Sequence, residues 1–147
     1  MSKILIVYYS RTGNTERMAE AIAKGAESIS GVEVVLKHYE TPQRLIDYDA
    51  ILIGVPTYHH NITDNMKRFL EEISFHGIDL KGKVGTSFGS YGWSGEAPRL
   101  VLEVMENNYE MEVLKPPLRV KKNPNKEDLE NCENLGRNIA KMILRNK

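Results

Sequence analysis

Apolar strands alternating with amphipathic helices predict an α/β protein whose parallel sheet is covered by helices on both faces. Two observations carry the class. Runs such as Ile4-Leu5-Ile6-Val7 and Ala50-Ile51-Leu52-Ile53-Gly54-Val55 are apolar without interruption, as strands buried on both faces must be. Between such runs, apolar residues recur at helical spacing. A third observation locates the business end. The segments leaving three strands, residues 10–15, 56–61 and 90–95, are rich in Gly, hydroxyls and aromatics. In open parallel sheets, ligands sit beyond the C-terminal ends of the strands.

In chain order, Lys3 to Tyr9 is the first strand. Met18, Ala21, Ile22, Gly25, Ala26 and Ile29 then mark a helix of about four turns that ends near Gly31. Val32 to Leu36 is the second strand, and Thr41-Pro42 opens a short helical turn. Ala50 to Val55 is the third strand. Thr63 or Asp64 caps the next helix, whose face is Met66, Phe69, Leu70 and Ile73. Lys83 to Ser87 is the fourth strand, ending at Phe88-Gly89. Ala97, Leu100, Val101, Val104 and Met105 mark the following helix. Met111 to Leu114 is a short fifth strand, and Pro116-Pro117 makes it an edge. The last helix carries Leu129, Cys132, Gly136, Ile139, Ala140, Ile143 and Leu144. The pattern is β-α five times with right-handed crossovers, in one domain spanning 1–147.

Composition narrows the function. The 147 residues hold 41% apolar and 27% charged side chains, enough for one ordinary globular core. No run approaches the ~20 apolar residues that span a bilayer. Met1-Ser2-Lys3 leads straight into a strand, so no signal peptide is expected. The single cysteine, Cys132, excludes an internal disulfide and a Cys-rich metal site. These features predict a cytoplasmic protein without membrane contact. Net charge is zero, so nucleic acid is not a predicted partner. The one basic cluster, Lys115 to Lys126, lacks interleaved aromatics and reads as a solvated edge.

Ser10-Arg11-Thr12-Gly13-Asn14-Thr15 is the strongest motif. A helix N-terminus presents unpaired N–H groups and a dipole that favours an anion. Ser10, Thr12 and Thr15 add hydroxyl donors. Gly13 permits the turn, and Asn14 can cap the helix or donate to the anion. The loop therefore reads as a phosphate site. It lacks the G-x-G-x-x-G dinucleotide pattern. Gly77 to Lys83 begins like a nucleoside-triphosphate loop, but Val84 stands where Ser or Thr would hold magnesium, and the segment enters a strand instead of leaving one. Asn61-Ile62-Thr63 matches a glycosylation acceptor that has no use without secretion. His59-His60 lacks the further ligands a metal needs. A phospho-acceptor signalling domain of similar topology is excluded, because residues 8–15 hold no carboxylate. Tyr58, Tyr91 and Trp93 sit in two loops at the phosphate end of the sheet and suggest a planar ring between aromatic faces.

Thr12-Gly13-Asn14-Thr15, with Ser10 before it, resembles the phosphate loop of the flavodoxin family, and the resemblance spans the whole chain. It implies a flavodoxin-like three-layer α/β/α sandwich with a five-stranded parallel sheet of order 2-1-3-4-5. Without a long insertion in the fifth strand, the chain is similar to the short-chain type. The implied cofactor is non-covalent FMN. Ser10, Arg11, Thr12, Asn14 and Thr15 would hold its phosphate. Pro56, Thr57, Tyr58 and His59, with His60 beside them, would form one loop around the ribityl chain and ring, and Ser90, Tyr91, Gly92 and Trp93 the other. Phe88 to Gly95 is especially similar to the flavodoxin domains of flavodiiron proteins, here without a preceding metallo-β-lactamase-like domain. The implied role is an electron carrier, a monomer or weak dimer with no catalytic residues and no metal. Its partners would be a reductase and an acceptor of flavodiiron or iron–sulfur type. The competing reading is an FMN-dependent NAD(P)H:quinone or nitro reductase. Two departures stand out. His59 and His60 occupy the place where many relatives use Gly, so a positive φ there is strained and the one-electron-reduced flavin is expected to be less stabilised. The chain is also neutral where many relatives are acidic. A histidine near the flavin would raise its potential as pH falls.

Overall fold

The computed structural model describes residues 1–146. Its elements in order are β1 (Ser2–Tyr8), α1 (Asn14–Glu27), β2 (Val32–Lys37), a 3-10 helix (Pro42–Asp47), β3 (Ala50–Gly54), α2 (Asp64–Phe75), β4 (Val84–Tyr91), α3 (Glu96–Asn107), β5 (Glu112–Val113), β6 (Leu118–Lys121) and α4 (Lys126–Arg145). The sheet runs β2-β1-β3-β4-β5, all parallel, with β6 also paired to β4.

Alternation along the central strands divides the core into two layers. Ile4, Ile6 and Tyr8 of β1 and Leu52 of β3 join Met18, Ile22, Cys132, Ile139 and Ile143 of α1 and α4. Leu5, Val7, Ile51 and Ile53 point the other way, to Leu45, Phe69, Ile73, Val101 and Met105. Both faces of β1 and β3 are thus dry, which is why these strands are apolar throughout. Helices α1 and α4 meet through two glycines. A Cβ on Gly25 would overlap the Glu133 carbonyl, and one on Gly136 would overlap the Ile22 carbonyl.

Three differences from the sequence reading bear on the site. Ser90 and Tyr91 end β4 and are not loop residues, because β6 pairs alongside them, Ser90 with Val120 and Tyr91 with Lys121. The fifth strand is split. Pro116 and Pro117 offer no N–H to the ladder, so pairing stops after β5 and resumes as β6 on the C-terminal half of β4. The segment read as a solvated basic edge therefore contains a strand, anchored by buried Val120. Asn14 does not cap α1. Gly13 holds the cap position in the left-handed region at φ 91°, and no side chain of that residue is available to bond.

Candidate cofactor site

Three loops meet at the C-terminal ends of β1, β3 and β4. In the first, Ser10 Oγ accepts the amides of Gly13 (3.1 Å) and Glu16 (3.2 Å). Ser10 thus does the capping that was one of the two roles open to Asn14, and leaves Asn14 the other, donation to an anion. The amides of Asn14 and Thr15, and the side chains of Thr12 and Asn14, have no hydrogen-bond partner among the described residues. They are the free donors a helix N-terminus offers an anion. Thr15 is buried, and its Oγ1 accepts the Ser90 amide at 3.2 Å, which ties this loop to β4 while leaving the hydroxyl proton free.

The second loop leaves β3 through Val55, whose amide bonds the Phe88 carbonyl at 2.9 Å. Thr57 Oγ1 accepts the Ala97 amide at 2.9 Å and so fixes the loop to the start of α3. Tyr58 and Asn61 exchange backbone bonds of 3.2 and 3.0 Å around His59 and His60, which have φ of 52° and 61°. This is a two-residue hairpin with both central residues left-handed, the pattern of a type I′ turn. His60 Nδ1 lies 2.7 Å from Glu96 Oε2 and 2.9 Å from Ser94 Oγ. The turn is therefore clasped to the third loop. Hydrogen bonds from Ser94 and His60 hold the Glu96 carboxyl below the usual range.

These loops enclose a cavity of about 370 Å3 lined by Ser10, Arg11, Thr12, Asn14, Thr15, Pro56, Thr57, Tyr58, Ser90, Tyr91, Gly92, Lys122 and Asn123. An adjoining outer cavity of about 700 Å3 shares Arg11, Thr57, Tyr58 and Gly92 with it and adds His59 and Trp93. Of the predicted site residues, Gly13 and His60 line neither; Gly13 shapes the turn and His60 braces the second loop. Arg11 sits 5.7 Å from the centre of the Tyr58 ring. Burial pushes the Tyr58 hydroxyl up, and Arg11 partly offsets this. The Trp93 indole is 88% exposed and does not pack down as a core anchor.

Lys122 and Asn123 were not anticipated in the inner wall. They follow β6, so only the resumed strand brings them there, and the Lys122 amide bonds the Tyr91 carbonyl at 2.6 Å. Two exposed polar residues after a cryptic strand carry no motif. Tyr9, Asn65 and Lys67 of the outer cavity are likewise silent in sequence.

No carboxylate lines the inner cavity; two cations, Arg11 and Lys122, two tyrosines, Tyr58 and Tyr91, and the first loop with its unpartnered amides do. That set suits a phosphate joined to a flat ring, so fold and site define a mononucleotide-cofactor protein. The flavodoxin family model matches residues 6–136, and the chain belongs to the flavodoxin family. It is similar to a flavodoxin from the domain Archaea, with 38% identity over 97% of this chain and 99% of that one and a TM-score of 0.89. It is also similar to flavodoxin 1 of Bacillus cereus, with 28% identity over 95% and 98% of the two chains and a TM-score of 0.85. The flavodiiron protein of Giardia intestinalis matches at 25% identity and a TM-score of 0.88, covering 99% of this chain but 37% of that one. The protein is thus an FMN-binding electron-transfer flavoprotein. Among the described residues no helix is long and apolar enough to cross a membrane, and no cluster suited to a metal is present.

Proposed function

We propose that the protein shuttles low-potential electrons between redox partner proteins in the cytoplasm, as a monomer or weak dimer, with the whole chain forming one FMN-binding domain. FMN supplies the redox chemistry when bound; the protein sets its surroundings. The amides of Asn14 and Thr15 and the hydroxyls of Ser10, Thr12 and Thr15 receive the phosphate, with Arg11 and Lys122 balancing its charge. Gly13 gives the turn its shape. Pro56, Thr57 and Tyr58 line one side of the ribityl and ring portion, and Ser90, Tyr91 and Gly92 the other. His59 and Trp93 border the outer mouth. His60 braces the second loop through Glu96.

The observation that carries this reading is the lining of the inner cavity: unpartnered loop amides, hydroxyls and two cations suited to a phosphate stand with Tyr58 and Tyr91 in one enclosed space. Burial pushes the thiol of Cys132 up to about 12, so this core residue packs and does not act as a nucleophile. Stepwise reduction of the purified yellow protein, followed by mixing with an oxidised one-electron acceptor protein, should show rapid electron delivery. Incubation with NADPH alone should show no steady oxidation. Sustained NADPH turnover would instead establish the reductase.

A further inference from the structure

The β6 corner beside the cofactor cavity carries the next inference. The chain has twenty cations and twenty carboxylates, yet residues 115–126 contain five Lys or Arg and no Asp or Glu. Lys115 is paired with Glu106 at 2.7 Å. Arg119, Lys121, Lys122 and Lys126 are exposed, and none has a carboxylate within 4.0 Å among the described residues.

The fold brings these cations to one rim. Lys121 stands in register with Tyr91, at the end of β4. Arg119 Nη1 bonds the Gly95 carbonyl at 3.3 Å, under the third loop. Lys122 lines the inner cavity together with Arg11. Exposed Arg17 of α1 adds a fifth cation, its Nη2 bonded to the Pro124 carbonyl at 3.4 Å. Glu96 is answered by His60 and Asp128 caps α4 with Asn125, while exposed Glu127 and Glu20 flank Lys126 and Arg17 in sequence without offsetting the four cations of residues 119–126. Arg11 and Lys122 would balance an FMN phosphate in the inner cavity, whereas Arg17, Arg119, Lys121 and Lys126 are exposed outside it.

We infer that this rim docks an acidic redox protein, with a carboxylate-rich face around its own redox centre. The inference rests on the carrier reading above and names its partner class. Charges within a Debye length of an approaching surface steer encounter and change on-rates on the order of tenfold or more, with strong salt dependence. Lys and Arg on an edge strand also discourage sheet-to-sheet aggregation. That role alone would leave electron-transfer rates insensitive to the sign of the partner.

The test uses the FMN-loaded protein reduced with dithionite and two oxidised acceptors: a blue-copper protein with an acidic patch and a basic c-type cytochrome. One electron leaves the reduced protein for each Cu(II) converted to Cu(I) or Fe(III) haem converted to Fe(II). Stopped-flow rates to the copper protein should fall about tenfold from low to physiological ionic strength. Rates to the cytochrome should rise or stay flat. Arg17→Gln/Lys121→Gln/Lys126→Gln, none of which lines either cavity, should remove most of that salt dependence while FMN affinity and spectrum stay unchanged. Lys121→Glu/Lys126→Glu should turn the preference toward the cytochrome. Wild-type rates to the cytochrome that fall with salt, or a triple variant with the wild-type slope, would overturn the proposal. Salt-sensitive binding of the copper protein is measured separately by calorimetry. Binding without transfer to either acceptor would sink the carrier reading and leave the docking face standing; transfer without salt-sensitive binding would do the reverse. NADPH oxidation weakened by the triple variant would reassign the rim to a nucleotide phosphate and overturn it.

Discussion

His59 and His60 occupy left-handed backbone, which costs a residue with a Cβ about 1–2 kcal/mol. They differ in what they give back. His60 holds Glu96 and Ser94, whereas His59 makes no hydrogen bond among the described residues. His59→Asn should therefore relieve strain without loss, since Asn suits this turn position. Part of that cost, about 1 kcal/mol, corresponds to roughly 3 °C in Tm for a chain of this size. His60→Ala should instead free the 58–61 turn, weaken FMN binding in a fluorescence titration, and leave the Ser10–Thr15 loop intact by NMR. Unchanged FMN affinity would mean that the His60 clasp is idle. The flavodoxin resemblance implied strain at these histidines, and their φ of 52° and 61° agrees, but the Glu96 partner lies 36 residues away and no local pattern announces it. Ser10 was legible as a hydroxyl in a phosphate loop. Its capping of Glu16 was not, because the usual cap sits three residues before the amide it serves and Ser10 sits six before.

Packing between elements decides the next two outcomes. Helices α1 and α4 approach through Gly25 and Gly136, and Gly136→Ala would force backbone apart. Overpacking of this kind costs about 1–3 kcal/mol, more than the roughly 1 kcal/mol that Ala gains in helix propensity at the upper end. Urea denaturation should show a lower midpoint with an unchanged slope. The turn between β2 and the 3-10 helix rests on a buried carboxylate. Glu40 receives Tyr48 OH at 2.7 Å, Lys37 Nζ at 3.2 Å and the Thr41 amide at 3.0 Å. Burial pushes its carboxyl up, but these three bonds prevail and hold it below 4.5. A depressed pKa contributes stability that is present above the ordinary value and lost as pH falls through the folded value. Wild type should thus exceed Glu40→Gln in stability at neutral pH, and the gap should narrow as pH falls through the ordinary carboxylate value toward the lower folded one, by denaturation across pH. The amphipathic helices behind these contacts were plain from spacing. Strand β6 was hidden, because two prolines and a basic run look like the end of a sheet, and only buried Val120 betrays its alternation.

At the scale of the molecule, alternating apolar strands were enough for a parallel sheet with two covered faces, but not for the order of its strands. Order follows from which crossover goes to which side, and the pattern of spacings is the same for several answers; the family resemblance supplied 2-1-3-4-5, which the pairing bears out. The same topology gathers loops from residues 10–15, 56–61 and 90–95 at one edge, so their stability depends on what lies between them. Asn14 and Thr15 keep amides without partners, and the loops touch each other chiefly through Thr15–Ser90, Thr57–Ala97 and His60–Glu96. A ligand that binds only the folded state stabilises it by RT ln(1 + [L]/Kd). At a hundredfold excess of free FMN over its Kd the gain is about 2.7 kcal/mol. Removing FMN should therefore lower Tm by several degrees. It should also raise hydrogen exchange at residues 14–15, 57–61 and 92–95 far more than in β1 and β3, whose opening requires the whole core to come apart. Uniform loss of protection across the sheet would mean that FMN supports the fold as a unit and not the three loops it joins.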